Sequence, residues 1–343
     1  MKTTIFIPIA AAVLAIAARG QTQAPQASQK ETAKAPRHRI SGSMTGYIEN
    51  AIVGSQIRLQ FDGMFRIDSP DRDEFFYAKC GCYRGLTGTS IIDPHSPGPG
   101  QGIVTNLNAQ EFHLDLEYAP MRRFSFFAEI PERSLQVQTA VQPGGAAFPA
   151  GKFSSSGIGD FRSGFKAAVI DSEDLALTFQ FRTYSPTGDA LLGLGTNHIS
   201  IEPSLLFYRR TSPRTTLAGQ FSFWHPVDAA AGFTTAPAGL ATDTNTWFAG
   251  NVLTYGLGGS YDLGSRGNVR FTPVLEFVGW RVMDGYRTTE AGPVAAGGEN
   301  IVNGKIGVRM TFGRNSVYVG YGRALTHNIW YQEIARIEYR YAF

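Results

Sequence analysis

The chain has 343 residues and a formal net charge of +3, a field too weak to attract nucleic acid, so we expect no nucleic-acid partner. Its 39 Gly, 24 Phe and 14 Tyr suit tightly curved sheets and the interfacial aromatics of membrane proteins. The sequence lacks the long segments of 3.6-residue periodicity that an α/β enzyme would show.

The N-terminus has the layout of a secretory signal. Lys2 precedes an apolar run from Ile5 to Ala18, and Ala18-Arg19-Gly20 supplies small residues for a signal peptidase. The run is shorter than the about 20 residues that a spanning helix needs. We therefore predict that residues 1–20 are a cleaved signal peptide, with a retained N-terminal anchor as the alternative.

Residues 21–53 are rich in Gln, Ala and Lys, with a basic cluster at Arg37-His38-Arg39. This composition is typical of a flexible segment, so we predict a periplasmic tail. The alternative is that the segment folds back as a plug, because many barrels are obstructed in this way. The remainder, 54–343, is predicted to form a single barrel.

Period-2 alternation of apolar and polar residues recurs along the rest of the chain. In the last strand, Ile337, Tyr339 and Tyr341 alternate with Glu338 and Arg340. The predicted strands number twelve, an even count typical of a single-chain bacterial barrel. They cover 56–67, 110–119, 122–134, 158–170, 174–185, 197–209, 214–226, 249–263, 266–281, 300–312, 315–325 and 330–343.

The connections between these strands alternate between short and long. Outer-membrane barrels have short periplasmic turns and long external loops, whereas a β-sandwich has no reason to separate its loops in this way. The pattern therefore favours an all-β, closed antiparallel transmembrane barrel. The short connections are 120–121, 171–173, 210–213, 264–265 and 313–314, and the long ones are 68–109, 135–157, 186–196, 227–248 and 282–299.

All four tryptophans fall at strand ends that this topology places at the outer interface: Trp224, Trp247, Trp280 and Trp330. Because Trp is enriched where hydrocarbon meets headgroups, we predict that they form part of an outer aromatic belt. Cys80 and Cys82 are the only cysteines. In an oxidising periplasm they could form a small disulfide that staples the first external loop; two free thiols are the alternative, and a C-x-C pair lacks the second half of a zinc site.

The run Gly157-Ile158-Gly159-Asp160-Phe161-Arg162 is followed by Pro186-Thr187-Gly188-Asp189, then Leu194-Gly195-Thr196-Asn197-His198 and Ile201-Glu202-Pro203-Ser204. In this order and spacing the motifs resemble a family of outer-membrane proteins named for the meta-cleavage pathway of phenol degradation. The resemblance implies a barrel that admits aromatic or other hydrophobic compounds. It departs from the family at Asn197, where a second glycine is usual, and in the long first external loop.

The polar face of the predicted strands carries both signs of charge. One interpretation is a pore that orients a solute, and the other is a filling of ion pairs that keeps a narrow barrel rigid. The near balance of charge argues against strong ion selectivity. The candidate pore-lining residues are Arg58, Asp62, Glu111, His113, Asp115, Glu117, Glu129, Arg162, Lys166, Arg182, Glu202, Arg270, Glu276, Lys305, Arg309, Arg336, Glu338 and Arg340.

His198, Ser200 and Glu202 share one face of a predicted strand, as a base, a nucleophile and a carboxylate would. Residues two apart on a strand point alike, but by default they do not meet closely enough for proton transfer. We therefore predict no catalytic residue, no metal site and no cofactor, and an enzyme that modifies lipid is the least favoured alternative.

The sequence thus predicts an outer-membrane channel for passive uptake of small hydrophobic or aromatic compounds. A closed structural or adhesive barrel is the main alternative. The expected partners are outer-membrane lipid, a small-molecule solute and the barrel-assembly machinery, which would recognise the C-terminal strand ending at Phe343.

Overall fold

A computed structural model describes residues 46–67, 103–141, 154–189, 192–196, 198–227, 249–289, 292–327 and 329–343. Within these ranges twelve strands form the wall of one closed, antiparallel transmembrane barrel, which confirms the predicted fold. The wall strands are β1 (Gln56–Ile67), β2 (Ile103–Met121), β3 (Phe124–Val141), β5 (Phe161–Asp171), β6 (Leu175–Ser185), β7 (Ser200–Arg210), β8 (Thr215–Pro226), β9 (Val252–Tyr261), β11 (Val269–Val282), β14 (Asn300–Phe312), β15 (Asn315–Ala324) and β16 (Glu333–Ala342).

Each wall strand pairs with its neighbours in the chain, and the ends of the sheet meet each other. β1 closes the barrel by pairing with β16 in a register that places Gln56 opposite Ala342 and Asp62 opposite Arg336. Short strands complete the sheet: β4 (Ser154–Ile158) continues the line of β5 against β3, and β10 (Ser265–Arg266) pairs with β11. β12 (Tyr286–Thr289) and β13 (Gly292–Ala295) form a separate hairpin.

The side chains of the wall alternate between an apolar exterior and a polar interior. On β16, Ile337 is 55% exposed on the outside, whereas Glu338 is fully buried on the inside. This alternation is the one that a membrane-spanning barrel requires, because its outer face meets hydrocarbon. The exterior carries large exposed apolar side chains all round the wall, among them Phe61, Leu116, Phe126, Phe179, Leu205, Phe221, Leu257, Phe277, Ile306, Val319 and Ile337.

The two ends of the barrel differ in their connections. The turns at 122–123, 172–174, 211–214, 262–268 and 313–314 define what we call the short-turn end, and the opposite rim is the long-loop end. At the tightest of these turns, Phe312 pairs with Asn315, and Gly313 adopts a positive φ of 59° that favours glycine. β2 and β3 extend further toward the long-loop end than the sequence predicted, because β2 begins at Ile103 and β3 ends at Val141.

None of the described residues forms a helix long and apolar enough to cross a membrane. Several predictions fall outside the described ranges. They concern the signal peptide, residues 21–45 of the predicted tail, Cys80 and Cys82, and Trp247.

Candidate functional site: the barrel interior

Residues 46–54 lie inside the barrel, and we call them the luminal segment. The segment starts from the short-turn end, where the Ser55 carbonyl accepts a hydrogen bond from the backbone N–H of Phe343 at 3.0 Å. The Ser55 hydroxyl accepts another from the N–H of Ala119 at 3.1 Å. From there the segment crosses to Glu276, near the middle of β11. It therefore occupies space that the wall strands enclose.

Glu276 anchors the inner end of the luminal segment. Its carboxylate accepts hydrogen bonds from three successive backbone N–H groups, those of Gly46 at 3.0 Å, Tyr47 at 2.8 Å and Ile48 at 3.2 Å. Charge-assisted hydrogen bonds of this kind are the stronger ones in proteins. A wall carboxylate thus holds the backbone of a segment that belongs to no wall strand.

The luminal segment also fits the wall sterically. The Ile48 side chain packs over Gly256 and Gly258 of β9, where an added Cβ would lie 3.2 Å and 3.1 Å from its atoms. Farther along, Ala51 and Ile52 form an apolar cluster with Leu206 of β7. The inward glycines of β9 therefore leave the room that the segment fills.

Glu129 is the centre of one group of buried charges on β1, β2, β3 and β5. It lies 2.8 Å from both Arg162 and His113, and 3.9 Å from Arg58. The other ring nitrogen of His113 lies 3.3 Å from Glu111. These groups form ion pairs and hydrogen bonds with one another, which compensate for the loss of water around buried charges.

Charged contacts extend from this group to the luminal segment. Arg182 contacts Glu49 of the segment at 2.7 Å and Glu202 of β7 at 3.2 Å. Lys166 contacts Glu117 at 3.0 Å and donates a hydrogen bond to the Asn50 carbonyl at 3.2 Å. The segment is therefore tied electrostatically to two wall strands opposite Glu276.

A second group of charges lies on the strands that close the barrel. Two nitrogens of Arg336 donate to the carboxylate of Asp62 at 2.7 Å each. Glu338 lies 2.9 Å from both Arg309 and Arg340, and all three side chains are almost fully buried. These buried charges, at the β1–β16 closure and on the nearby β14, are therefore paired with one another.

Lys305 differs from the other inward cations. It stands directly opposite Glu276 in the register of β11 and β14, yet no described carboxylate lies within ion-pair distance of it, because Glu276 binds the luminal segment instead. Its ammonium donates to the Tyr331 hydroxyl at 3.0 Å and lies 4.0 Å from the centre of the Tyr47 ring. The luminal segment therefore contacts both members of a facing carboxylate and ammonium.

The structure places all but one of the predicted pore-lining residues in the interior. The exception is Arg270, whose side chain is 51% exposed near the short-turn end, 3.5 Å from Asp262. The residues brought together inside are Arg58, Asp62, Glu111, His113, Asp115, Glu117, Glu129, Arg162, Lys166, Arg182, Glu202, Glu276, Lys305, Arg309, Arg336, Glu338 and Arg340.

The prediction of an outer tryptophan belt is wrong for the three described tryptophans. Trp224, Trp280 and Trp330 are at most 3% exposed and pack inside the barrel. The alternation of the strand already indicated the inward position, because Trp280 is an even number of residues from Glu276 on β11 and so shares its inward face. Trp330 lies in the β15–β16 connection and packs edge-on against Trp280, with ring centres 6.3 Å apart.

These tryptophans belong to an apolar layer that fills the interior toward the long-loop end. Its members are apolar and aromatic, and charged side chains meet it only at its border, where Arg133 lies beside Leu135 and Lys305 beside Trp280. Beside the three tryptophans, the wall residues that form the layer with them include Met64, Ile67, Leu107, Leu135, Val137, Tyr184, Val252, Val278, Val282, Ile301 and Ile334, and Tyr331 joins from the last connection.

Sequence reasoning missed three interior residues that matter here. Arg133 pairs with Glu111 through its Nε at 2.6 Å, and it shares the inward parity of Glu129, which could have revealed it. Tyr47 and Glu49 lie in the segment predicted as a periplasmic tail, with a plug as the alternative. Its described part, residues 46–53, lies inside the barrel, as a plug would, and its composition gives no sign of these contacts.

The structure brings His198 and Ser200 closer than the sequence argument allowed, with the hydroxyl 3.0 Å from His198 Nδ1. Glu202 does not complete a triad, because its carboxylate binds Arg182 and accepts from the Tyr184 hydroxyl at 2.6 Å. Ser200 is also fully buried within the barrel. Acyl transfer needs a nucleophile that a substrate can reach, and in this structure the Ser200 hydroxyl is covered.

Two small cavities lie in the described interior. A cavity of about 10 Å³, near the minimum for one water molecule, lies among Glu49, Arg58 and Lys166. A second of the same size lies in the apolar layer beside Met64, Leu135 and Trp330, again with room for about one water molecule. The described residues contain no group of three or more His, Cys, Asp or Glu side chains placed to hold a metal ion.

No family model matches the sequence, and no curated protein matches it. Several solved structures have a similar shape. An outer membrane channel from Pseudomonas putida F1 is 13% identical with a TM-score of 0.49, over 87% of this chain and 99% of that one. The KdgM porin is 8% identical with a TM-score of 0.38, over 84% and 99%. The Pseudomonas putida toluene transporter TodX is 10% identical with a TM-score of 0.40, over 84% and 88%. Likenesses of this size identify neither a family nor a function.

Proposed function

We propose that this protein is an outer-membrane channel for the passive uptake of small hydrophobic or aromatic compounds, and that the luminal segment closes it. The apolar exterior and charged interior suit a barrel in a membrane. Membership of the family named for meta-cleavage of phenol belongs to this proposal. We also propose that residues 1–20 are a signal peptide. The C-terminal strand, which ends at Phe343, is proposed to be recognised by the barrel-assembly machinery.

The observation that carries the proposal is the nature of the luminal segment. A barrel built only for rigidity can fill its interior with side chains of its own wall. Here a backbone segment fills much of the charged half, and Glu276 and Arg182 hold it by polar contacts. Because it is part of no wall strand, it can leave without breaking the sheet.

The lining of the interior supports the class of solute. A solute that enters from the long-loop end meets the apolar layer with Trp224, Trp280 and Trp330. Aromatic and aliphatic side chains favour apolar solutes, with a few polar groups to orient them. Deeper inside, charges of both signs are present and, Lys305 apart, are mostly paired, which suits a neutral solute better than an ion.

Conductance in planar bilayers tests the closure. Glu276→Gln weakens the charge-assisted hydrogen bonds to the luminal segment. We expect the wild-type protein to be closed most of the time and the variant to open at least about tenfold more often, as a loss of about 1.4 kcal/mol would give. Glu173→Gln, at an exposed turn, is the matched control and should behave as the wild type.

Flux into proteoliposomes tests the solute class. After the uptake by protein-free vesicles is subtracted, vesicles with the Glu276→Gln variant should take up toluene or phenol faster than glucose. Equal flux of sugar and aromatic compound would contradict the proposed class while leaving the channel itself in place.

A closed structural or adhesive barrel is the second candidate, and the density of the interior favours it. The described cavities have room for about one water molecule each, and the buried charges are paired. This alternative predicts no channel openings in the wild type or in the Glu276→Gln variant, and no flux of any solute.

A further inference from the structure

The ring of Tyr47 lies in a slot that two cations help to form. The Lys305 ammonium is 4.0 Å from the ring centre, and the Arg336 guanidinium is 4.1 Å from it. Both distances are well within the range of a cation–π interaction. The Tyr318 ring meets Tyr47 edge-on, with ring centres 6.1 Å apart. A planar aromatic ring is thus held by two cations and by a second ring packed at a right angle to it.

The slot belongs to the wall, whereas its occupant belongs to the luminal segment. Lys305, Tyr318 and Arg336 lie on β14, β15 and β16. Arg336 is held by the two hydrogen bonds to Asp62, and Lys305 by the hydroxyl of Tyr331. Arg336 also donates to the Gly46 carbonyl of the luminal segment at 2.9 Å, but the contacts with Asp62 and Tyr331 lie within the barrel and do not depend on Tyr47.

The polar tip of Tyr47 adds little to its binding. Its hydroxyl is buried and finds no hydrogen-bond partner among the residues that the structure describes. Burying a hydroxyl without a partner is unfavourable, so the ring itself holds the side chain in the slot. The slot therefore selects for an aromatic face rather than for the phenolic group.

We propose that this slot is a binding site for the aromatic ring of a solute, and that Tyr47 occupies it while the luminal segment is in place. This inference rests on the proposed function, since a solute must reach the interior. An aromatic ring presents a negative face to both cations, whereas a saturated ring of the same size does not. The site also adjoins the apolar layer, because Lys305 lies 5.5 Å from the centre of the Trp280 ring.

Tyr47→Ala empties the slot and allows its preference to be measured. We expect purified protein in detergent to bind phenol about tenfold more tightly than cyclohexanol in this variant, by isothermal titration calorimetry. The wild type should bind phenol at least about tenfold more weakly than the variant, because its own ring competes at high effective concentration. Equal affinity of the variant for the two compounds would overturn the inference, and so would equal affinity of variant and wild type for phenol.

Lys305→Met in the Tyr47→Ala background removes one cation and keeps an apolar side chain of similar length. The preference for phenol over cyclohexanol should fall to about threefold or less, whereas Tyr261→Phe, at an exposed position at the end of β9, should leave it unchanged. If Tyr47→Ala does not fold, Tyr47→Leu replaces it. That variant keeps an apolar side chain without an aromatic face, and it should bind phenol more tightly than the wild type.

Flux separates failure of the slot from failure of the channel. A preference for phenol without any flux into proteoliposomes would retain the site and reject transport. Flux of phenol without a binding preference for it would retain transport and reject the site.

Discussion

The two halves of the barrel interior are filled by different means. Toward the long-loop end, an apolar layer that includes Trp224, Trp280 and Trp330 packs as a hydrophobic core. The other half holds paired charges and the luminal segment, whose contacts with Glu276 and Arg182 are polar. Packing is non-directional and tolerates adjustment, whereas a buried charge depends on its own partner. We therefore expect the charged half to be the more sensitive to single substitutions and the more able to change its conformation.

Glu338→Ala should have the largest effect on stability. It leaves Arg309 and Arg340 buried without the carboxylate that lies 2.9 Å from each of them. Loss of one partner from a buried ion pair costs about 3–5 kcal/mol. We expect a loss of this size in the free energy of unfolding, measured with urea in lipid vesicles. Glu173→Ala is the control, and its side chain is 83% exposed. A loss below about 1 kcal/mol for Glu338→Ala would show that water reaches the pair.

Leu135→Ala should cost less, about 2–4 kcal/mol, through the cavity that it leaves in the apolar layer. The same urea titration measures it. Leu257→Ala is the matched control, because this leucine faces outward and is 61% exposed, so lipid can fill the space. Equal losses for the two leucines would mean that the apolar layer is not tightly packed.

Gly258→Ala should act on closure more than on stability. Its Cβ would lie 2.7 Å from Glu276 Cγ and 3.1 Å from Ile48 Cδ1, so the luminal segment must move. We expect more frequent openings in planar bilayers, with a change of about 1 kcal/mol or less in the free energy of unfolding. Gly259→Ala faces the opposite way and meets only ordinary contacts, the nearest at 3.6 Å. Identical opening frequencies for the two variants would show that the luminal segment does not pack against Gly258.

Asp174→Asn should have the smallest effect. It removes an ion pair with Arg210 at the short-turn end, where the aspartate side chain is 68% exposed. Pairs of this kind contribute about 0.2–1 kcal/mol and are screened by salt. The difference from the wild type in the urea titration should disappear at about 1 M salt, where the Debye length is about 3 Å. A difference that persists there would indicate a structural role for the turn.

The sequence was sufficient for the wall because alternation and the parity of the connections are local signals. The same parity places Glu276 and Trp280 on one face, so the inward tryptophans were also within reach of the sequence. The position of the luminal segment could not be predicted from the sequence. Its contacts join Gly46 to Glu276, far apart in the chain, and no period or motif encodes such a pairing. Arg270 was misplaced because the strand alternation says which way a residue points but not how near it lies to the rim.

A reversible disulfide tether shows whether the luminal segment closes a channel. Ile48→Cys and Gly256→Cys place two thiols where an added Cβ lies 3.2 Å from Ile48 Cγ1, in a chain whose Cys80 and Cys82 are replaced by Ser. With Glu276→Gln also present, we expect no channel openings while the tether is oxidised and frequent openings after dithiothreitol is added. Equal opening frequencies before and after reduction would contradict this expectation.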